Sequence, residues 1–226
     1  NNASCPDKDG ACSCYLLEAD GKKILIDMGN GCLAKLQQQV DLSEIDAIII
    51  SHLHFDHFGD LFCAKYGLET RKAYGENIKR KPVLVPALPA WAFEELSTND
   101  VFDIVCVRDG MNYSFPDCSV RILFIKVKHM IESYGLRITS GEKTFAYSGD
   151  SGFCPQLKRI ACKSDLFLCE STYLSDEHPG ERLEEDHHLS ARNAAVISLE
   201  SGAKKLVLTH FHQPYAEKLQ NEARKI

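Results

Sequence analysis

The feature that most constrains this chain is a cluster of polar residues placed directly after an apolar strand. The run 48–50 is followed by His52, His54, Asp56 and His57 within six positions. Clustered imidazoles repel one another when protonated, and a carboxylate beside them adds little to a packed core. Histidines two positions apart in an extended segment project to the same side, so the first two can share one metal ion and the last two residues can face a second. The segment indicates a metal-binding loop rather than a solvated polar loop.

Three further ligand-type residues stand where other strand-like runs end. His129 follows the run 120–128, Asp150 follows a Ser-Gly pair after the run 144–147, and His210 follows the run 206–208. Each of these alone could be a surface residue. One loop cannot complete two four- or five-coordinate sites, however, so additional ligands are expected at other strand ends. The three residues are therefore predicted to complete the metal site.

The rest of the pattern mixes strands and helices, with no linker, repeat or low-complexity segment to divide it. Strands are predicted at 24–26, 47–50, 83–85, 101–107, 120–128, 136–138, 144–147, 166–169 and 206–208. Helices are predicted at 32–40, 58–66, 89–96 and 190–201, the last with Ser190 as N-cap and Gly202 just past its end. The region 101–147 is expected to be antiparallel. A single α/β domain over residues 1–226, with large sheets and peripheral helices, is the economical interpretation.

Charge and composition exclude several classes of function. The net charge is −6 and basic residues form no extended cluster, which argues against electrostatic capture of long nucleic acid. No apolar run approaches the roughly 18 residues that span a bilayer. Ten cysteines occur without any C-x-x-C pair, which favours a reduced, cytoplasmic protein. The first residues do not resemble a signal peptide, and because they lack Met we expect a leading segment, including the first strand of the fold, to precede them.

Taken together, the ligand-type residues resemble the five-motif signature of the metallo-β-lactamase fold superfamily. The resemblance runs from the segment 25–29 to His210. It implies a four-layer αββα sandwich with the metal site at one edge of the two sheets. It also implies two divalent ions, usually zinc, with manganese or iron as alternatives. The implied ligands are His52, His54 and His129 on the first metal, Asp56, His57 and His210 on the second, and Asp150 bridging both.

The segment 187–195 narrows the resemblance to one branch of the superfamily. It is similar to the histidine motif of ribonuclease Z and related phosphodiesterases, and spacing to the alanine pair identifies His188, rather than His187, as the match. Ribonuclease Z carries a long arm that grips transfer RNA between the third and fourth motifs. Here only about 20 residues separate His129 from Asp150. The likeness is therefore to phosphodiesterase-like hydrolases that lack this arm.

The predicted function is a dinuclear metal-dependent phosphodiesterase that acts on a small or nucleotide-like substrate through a hydroxide held between the metals. Asp56 and His188 are assigned as catalytic, with the histidine giving a hydrogen bond or a proton to the phosphoryl or leaving oxygen. Asp27 and Glu170 are assigned as supporting residues. We expect Asp27 to orient His54, and Glu170 to support His188 or the metal loops.

Other interpretations remain open at this stage. The same metals could serve a carboxylic-ester hydrolase such as a lactonase or thioesterase, or a ribonuclease Z-like RNA endonuclease. A sensor with a vestigial site and a di-iron redox enzyme are less favoured. The expected partner is a small-molecule phosphodiester, and no association with a membrane is expected. A homodimer is possible, because dimers are common among the proteins that the chain resembles. Trp91 is interpreted as a core or interface anchor rather than a base-stacking platform, and the acidic run 184–186 as a solvated turn that could orient His188.

Overall fold

A computed structural model describes residues 2–8, 10–98, 100–176 and 187–226. These residues form two compact units. The N-terminal unit is Ser4–Val107, and the C-terminal unit is Arg108–Ile226 together with the residues before Ser4. The expectation that residues 1–226 form one domain stays a prediction.

The N-terminal unit is built on a five-stranded sheet in the order β1-β2-β3-β4-β5. Its strands are β1 (Tyr15–Ala19), β2 (Lys22–Ile26), β3 (Ala47–Ile49), β4 (Lys81–Val85) and β5 (Phe102–Cys106). Its helices are α1 (Cys32–Leu36), α2 (Phe55–Ala73) and α3 (Ala90–Ser97). Strands β2 to β5 are parallel neighbours, and only the β1–β2 pair is antiparallel. Strand β3 and residues 83–85 of β4 are buried and apolar, as expected for parallel strands covered on both faces.

The C-terminal unit is built on a six-stranded sheet in the order β11-β10-β9-β8-β7-β6. Its strands are β6 (Asn112–Ser114), β7 (Arg121–Lys126), β8 (Tyr134–Ser140), β9 (Lys143–Tyr147), β10 (Leu166–Glu170) and β11 (Leu206–Thr209). Its helices are α4 (Pro155–Ala161), α5 (Ala191–Ser201) and α6 (Ala216–Ala223). Strands β6 to β9 form an antiparallel meander, and β9, β10 and β11 run parallel. Helices α4 and α5 lie in the two parallel crossovers.

In both sheets the parallel strands deliver polar residues to their carboxyl ends. Strands β2 and β3 pair in register at Ile26 and Ile49, so the residues that follow each of them leave the sheet at the same edge. Strands β9, β10 and β11 do the same in the second sheet, where Leu168 pairs with Tyr147 and Glu170 with Thr209. The carboxyl edge of parallel strands is where such folds place their ligand sites.

The predicted two-sheet α/β class with flanking helices is confirmed. All nine predicted strands and all four predicted helices are present. Ser190 does cap α5, accepting a hydrogen bond from the Asn193 amide, and Gly202 ends it at φ 70°. The expected antiparallel region was wrong at its start, because β5 pairs in parallel with β4 in the first sheet. The short edge strands β1 and β6 and the helices α4 and α6 were not predicted.

No helix within the described ranges is long and apolar enough to cross a membrane.

Candidate functional site

In the N-terminal unit, a buried carboxylate organises the metal-binding segment. Asp27 follows β2 with a φ of 57°. Its oxygens accept hydrogen bonds from the amide and the hydroxyl of Ser51, at 2.7 and 2.9 Å, and one of them lies 2.8 Å from Nδ1 of His57. Because a carboxylate can only accept, the Nδ1 proton points to Asp27, and Nε2 is left as the atom that can bind a metal. The prediction that Asp27 orients His54 is corrected accordingly: its partner is His57.

The first two histidines of the segment face each other. Nε2 of His52 lies 3.1 Å from Nδ1 of His54, and the Ser51 hydroxyl lies 3.1 Å from Nδ1 of His52. Two nitrogen ligands of one tetrahedral zinc ion, each about 2.1 Å from the metal, are about 3.4 Å apart. The two ring nitrogens are therefore already close to the spacing that one shared ion requires, so this pair fits the predicted group.

The start of α2 is held against the turn that follows β2. The amide of Met28 donates to the carbonyl of His57 at 2.6 Å, and the amide of Ser13 donates to the carbonyl of Asp56 at 3.1 Å. Gly29 lies so close to this helix that a Cβ there would sit 1.9 Å from the carbonyl oxygen of Asp56. Only glycine allows this approach. The Asp56 side chain accepts a hydrogen bond from the Ser4 amide and lies 3.8 Å from Nε2 of His57.

In the C-terminal unit, a second buried carboxylate plays the organising part. Glu170 ends β10, and its oxygens accept hydrogen bonds from the amides of Ser151 and Leu189, at 2.7 and 3.2 Å. The hydroxyl of Thr172 donates to it at 2.7 Å, and Nδ1 of His188 lies 3.1 Å from it. Glu170 therefore lies beside His188, where the sequence analysis expected it. Its role in catalysis stays a prediction.

The remaining predicted residues of this unit gather around Asp150. One carboxylate oxygen of Asp150 lies 3.2 Å from Nε2 of His210 and 3.8 Å from Nδ1 of His188. The ligand atoms of His129, Asp150 and His188 lie within 4.8 Å of one another, as do those of Glu170, His188 and His210. His188, predicted only as a catalytic residue, is thus also close enough to neighbouring ligand atoms to take part in metal binding.

Two of these positions depend on unusual backbone conformations. Gly149, just before Asp150, has a φ of 60°, and a Cβ there would lie 2.7 Å from the carbonyl oxygen of Tyr134. His210 has a φ of 55°, which is rare for a residue with a side chain. Its Nδ1 lies 3.0 Å from the hydroxyl oxygen of Thr172, which is also 3.1 Å from the carbonyl oxygen of His210. Strain of this kind is typical of functional sites, where surrounding contacts hold it in place.

Two hydroxyl residues that contact the candidate ligands were not expected from the sequence. Ser51 bridges Asp27 and His52, and Thr172 bridges Glu170 and His210. Each lies two residues after the end of a buried strand, and this position was the one sequence signal that could have identified them. His129 donates from Nδ1 to the carbonyl oxygen of His187 at 2.9 Å, another contact that sequence could not specify. The acidic run 184–186 and the residue at 178 lie outside the described residues.

The donor set consists of imidazole nitrogens and carboxylate oxygens. Among the described residues, none of the candidate ligand groups contains a cysteine. Burial, followed by the negative charge of Asp56, raises the pKa of the Cys12 thiol to about 12. Burial, followed by the charge of Glu170, also raises the pKa of Cys169. Both thiols are therefore protonated at neutral pH. A nitrogen and oxygen donor set of this kind suits zinc, manganese or iron.

Comparison with protein families gives a match that spans most of the chain. The family described as "Beta-lactamase superfamily domain" matches residues 22–211. This range contains every residue that was predicted to bind a metal, from His52 to His210.

Several curated relatives match over nearly the same length. An uncharacterized protein of Mycobacterium tuberculosis is 33% identical over 216 residues, which cover 89% of this chain and 75% of that protein. The "Probable metallo-hydrolase YhfI" of Bacillus subtilis is 26% identical over 227 residues, covering 98% of this chain and 88% of the relative. A "Ribonuclease Z" of Streptomyces coelicolor is 26% identical over 258 residues, covering 90% and 81%.

The likeness to YhfI is also seen in the backbone fold, because a solved structure of that protein superimposes on this chain. The crystal structure of the metallo-beta-lactamase fold protein YhfI from Bacillus subtilis matches with a TM-score of 0.91 and 25% identity. It covers all of this chain and 89% of that protein.

Proposed function

This chain belongs to the beta-lactamase superfamily, and from that premise we propose that it is a metal-dependent hydrolase of phosphodiesters. Its relatives support the broader class, metallo-hydrolase, over nearly the whole chain. The single observation that favours phosphodiesters is the pair formed by His188 and the buried Glu170, whose nearest atoms are 3.1 Å apart. A fixed histidine of this kind is suited to stabilise and protonate an oxygen that leaves phosphorus.

We propose that the chain holds two divalent metal ions, zinc being the expected metal. The support is the donor set, the spacing of His52 and His54 and the family resemblance. When bound, the metals would polarise the phosphoryl oxygens and lower the pKa of water. The proposed ligands are His52, His54 and His129 for one ion, Asp56, His57 and His210 for the other, and Asp150 for both.

His188 is the residue that this chain would bring to the leaving group. Its Nδ1 proton points to Glu170, because the carboxylate can only accept. In the doubly protonated ring, Nε2–H then remains to donate to a phosphoryl or leaving oxygen. The buried carboxylate accepts the Nδ1 proton and holds the ring in one orientation. General acid catalysis of this kind contributes about 10²- to 10⁴-fold to the rate.

The test compares His188→Ala with the wild-type protein on bis(p-nitrophenyl) phosphate. We expect His188→Ala to keep its metals, measured by elemental analysis of the purified protein, and to lose about 10²- to 10⁴-fold of its turnover. His212→Ala is the matched control, because this histidine is exposed and lies outside the proposed site. An unchanged turnover in His188→Ala would contradict the assignment, and loss of metal would make His188 a ligand rather than an acid.

One further function has a specific observation in its favour. The likeness to the Streptomyces coelicolor ribonuclease Z supports an RNA endonuclease as the second candidate. Against it, β8 and β9 occupy most of the interval between His129 and Asp150, where a transfer-RNA-binding arm would be inserted. Assays of a precursor transfer RNA, bis(p-nitrophenyl) phosphate, a lactone and a thioester, run side by side, would separate this candidate and the carboxylic-ester hydrolases from the proposed function.

The expected small-molecule partner and a homodimer are part of the same proposal. Cytoplasmic localisation stays a prediction from cysteine usage.

A further inference from the structure

Two large aromatic side chains lie next to each other on the surface of the N-terminal unit. Phe55 is the first residue of α2 and is 59% exposed, and Trp91 lies in the first turn of α3 and is 52% exposed. Their ring centroids are 6.1 Å apart and their planes differ by 33°. Of the two roles expected from the sequence, core or interface anchor, the core role is therefore excluded for Trp91. Two adjacent exposed aromatic rings are unusual on a surface without a binding role.

The exposed pair rests on two less exposed rings. Phe58 is fully buried and stacks on Phe55, with centroids 5.4 Å apart and planes 22° apart. Phe62 stacks on Trp91, with centroids 6.4 Å apart and planes 21° apart. We call these four residues the aromatic platform. The Phe58 ring also lies 6.2 Å from the Trp91 ring, centroid to centroid, so each upper ring contacts the lower rings beneath it.

The platform is continuous with the metal-binding segment. Phe55 stands between His54 and Asp56 in the chain, and His54 is the N-cap of α2. Successive Cα atoms are about 3.8 Å apart, so a molecule whose reacting group is held by His54 or Asp56 lies within one residue of Phe55 and is large enough to reach it. What covers the platform is therefore expected to be part of the substrate itself.

We propose that the aromatic platform binds the base of a nucleotide-type phosphodiester. This proposal rests on the proposed phosphodiesterase function and specifies its substrate class. Flat aromatic side chains stack on nucleobases of any sequence, because every base presents a π-face. An aliphatic group would instead need an enclosed apolar groove, whereas both upper rings are more than half exposed. The net charge of −6 favours a short nucleotide over a long strand.

Binding can be measured without catalysis, because Trp91 is the only tryptophan in the chain. We would titrate the metal-loaded protein with uridine 5′-monophosphate and follow tryptophan fluorescence excited at a wavelength the base does not absorb. A saturable quench is expected, and ribose 5-phosphate, which lacks the base, should not produce it. Phe55→Leu should weaken the uridine nucleotide by about 5- to 150-fold. Quenching that is equal for both probes, or unchanged in Phe55→Leu, would overturn the proposal.

Tyr74→Leu is the matched control for this titration. Tyr74 is also aromatic and is 87% exposed, but it caps the opposite end of α2, about 28 Å along the helix from Phe55. The control should bind uridine 5′-monophosphate as the wild type does. An equal loss in both variants would show that stacking at Phe55 is not the cause, and would count against the proposal.

Kinetics supply the second measurement. Thymidine 5′-p-nitrophenyl phosphate and methyl p-nitrophenyl phosphate share a leaving group and differ in the nucleoside. We expect Phe55→Leu and Trp91→Leu each to raise KM for the nucleoside ester about 10-fold, within the range known for base stacking, and to leave kcat/KM for the methyl ester unchanged. Equal losses on both esters would overturn the proposal.

The two proposals fail in different ways. If the wild type hydrolyses neither ester, the phosphodiesterase function fails, while base-dependent quenching still decides whether the platform binds a nucleotide. The competing occupant is a second copy of the chain. Sedimentation velocity identifies it: a wild-type dimer that becomes monomeric in Phe55→Leu, without any nucleotide quench, would assign the platform to self-association and overturn the proposal.

Discussion

The two units of the molecule assemble their ligand-type residues in opposite ways. The N-terminal unit takes four of them from the single segment 52–57, at the start of one helix. The C-terminal unit takes one from each of several strand ends, with His129 after β7, Asp150 after β9 and His210 after β11. In the first unit local sequence is enough to bring the residues together. In the second the pairing of separate strands brings them together: β9, β10 and β11 are parallel and in register, and His129 reaches the same group from the antiparallel strand β7.

In each unit a buried carboxylate lies within hydrogen-bond distance of Nδ1 of a histidine, and the two carboxylates differ in which histidine they contact. Asp27 contacts Nδ1 of His57, a predicted metal ligand, whereas Glu170 contacts Nδ1 of His188, the proposed acid. Under the proposed function, the same kind of contact would serve metal binding in one unit and proton donation in the other. If this distinction is correct, substitutions in the two units should produce different losses.

The largest effect is expected from Gly29→Ala. The added methyl group would overlap the carbonyl oxygen of Asp56, a backbone atom that cannot move without displacing α2. We expect a loss of about 3 kcal/mol or more in the free energy of unfolding, measured by urea denaturation. Gly67→Ala, inside α2 with nothing within 4 Å of the new Cβ, is the control and should stabilise by about 0.5–1 kcal/mol. Equal stabilities for the two variants would break the argument from close approach.

Asp27→Asn should mainly affect metal binding. The amide can no longer accept the Nδ1 proton of His57 as a charged group, so the ligand loses its orientation. We expect metal affinity to fall about 10- to 100-fold, measured by competition with a chromophoric chelator. If the metal affinity of Asp27→Asn stays within about two- to threefold of the wild-type value, Asp27 does not support the metal site.

Glu170→Gln should mainly affect turnover. His188 loses its charged partner, and we expect kcat on a phosphodiester to fall about 10²-fold or more while the metals stay bound. Metal affinity and kcat should be measured for both variants. Asp27→Asn should mainly lower metal affinity, whereas Glu170→Gln should mainly lower kcat. If Glu170→Gln lost its metals instead, the distinction between the two carboxylates would have to be abandoned.

Thr172→Val should have a smaller effect of the same kind. The substitution keeps the shape but removes the hydroxyl that lies 3.0 Å from Nδ1 of His210 and donates to Glu170. One hydrogen bond of this type is worth about 1 kcal/mol, or roughly fivefold in kcat/KM. Thr172→Ser, which keeps the hydroxyl, should recover most of the activity. Failure of this rescue would point to packing rather than hydrogen bonding.

The smallest effect is expected away from both sites, at Asp165. A hydrogen bond from the ammonium of Lys204, followed by one from the amide of Thr144, lowers its pKa from 3.8 to about 2. Because the folded state lowers this pKa, its contribution to stability is present above pH 3.8 and is lost as the pH falls through about 2. The urea midpoint of wild type should exceed that of Asp165→Asn at pH 6, and the gap should narrow at pH 3. A gap that does not change with pH would contradict this account.

Sequence could name the candidate ligand residues more readily than the hydrogen-bond partners of those residues, for a physical reason. The cluster 52–57 and the strand ends carry local signals, so the ligand residues could be named from spacing and hydrophobic pattern. The hydrogen-bond partner of Asp27 could not be named in this way, because it depends on which histidine ring at the start of α2 faces the end of β2. In the structure this ring is His57 rather than His54. In the same way, nothing local distinguishes β5 from the antiparallel strands that follow it, since pairing is decided by the crossover through α3.

The hairpin between β8 and β9 bears on how this chain could be altered by design. Ser140 pairs with Lys143, so only two residues turn the chain, and Gly141 there has open space around it and a φ of 55°. Exposed tight turns of this kind accept inserted segments more readily than strands do. The hairpin is thus a natural grafting point, at which a new recognition module could be added without rewriting either sheet.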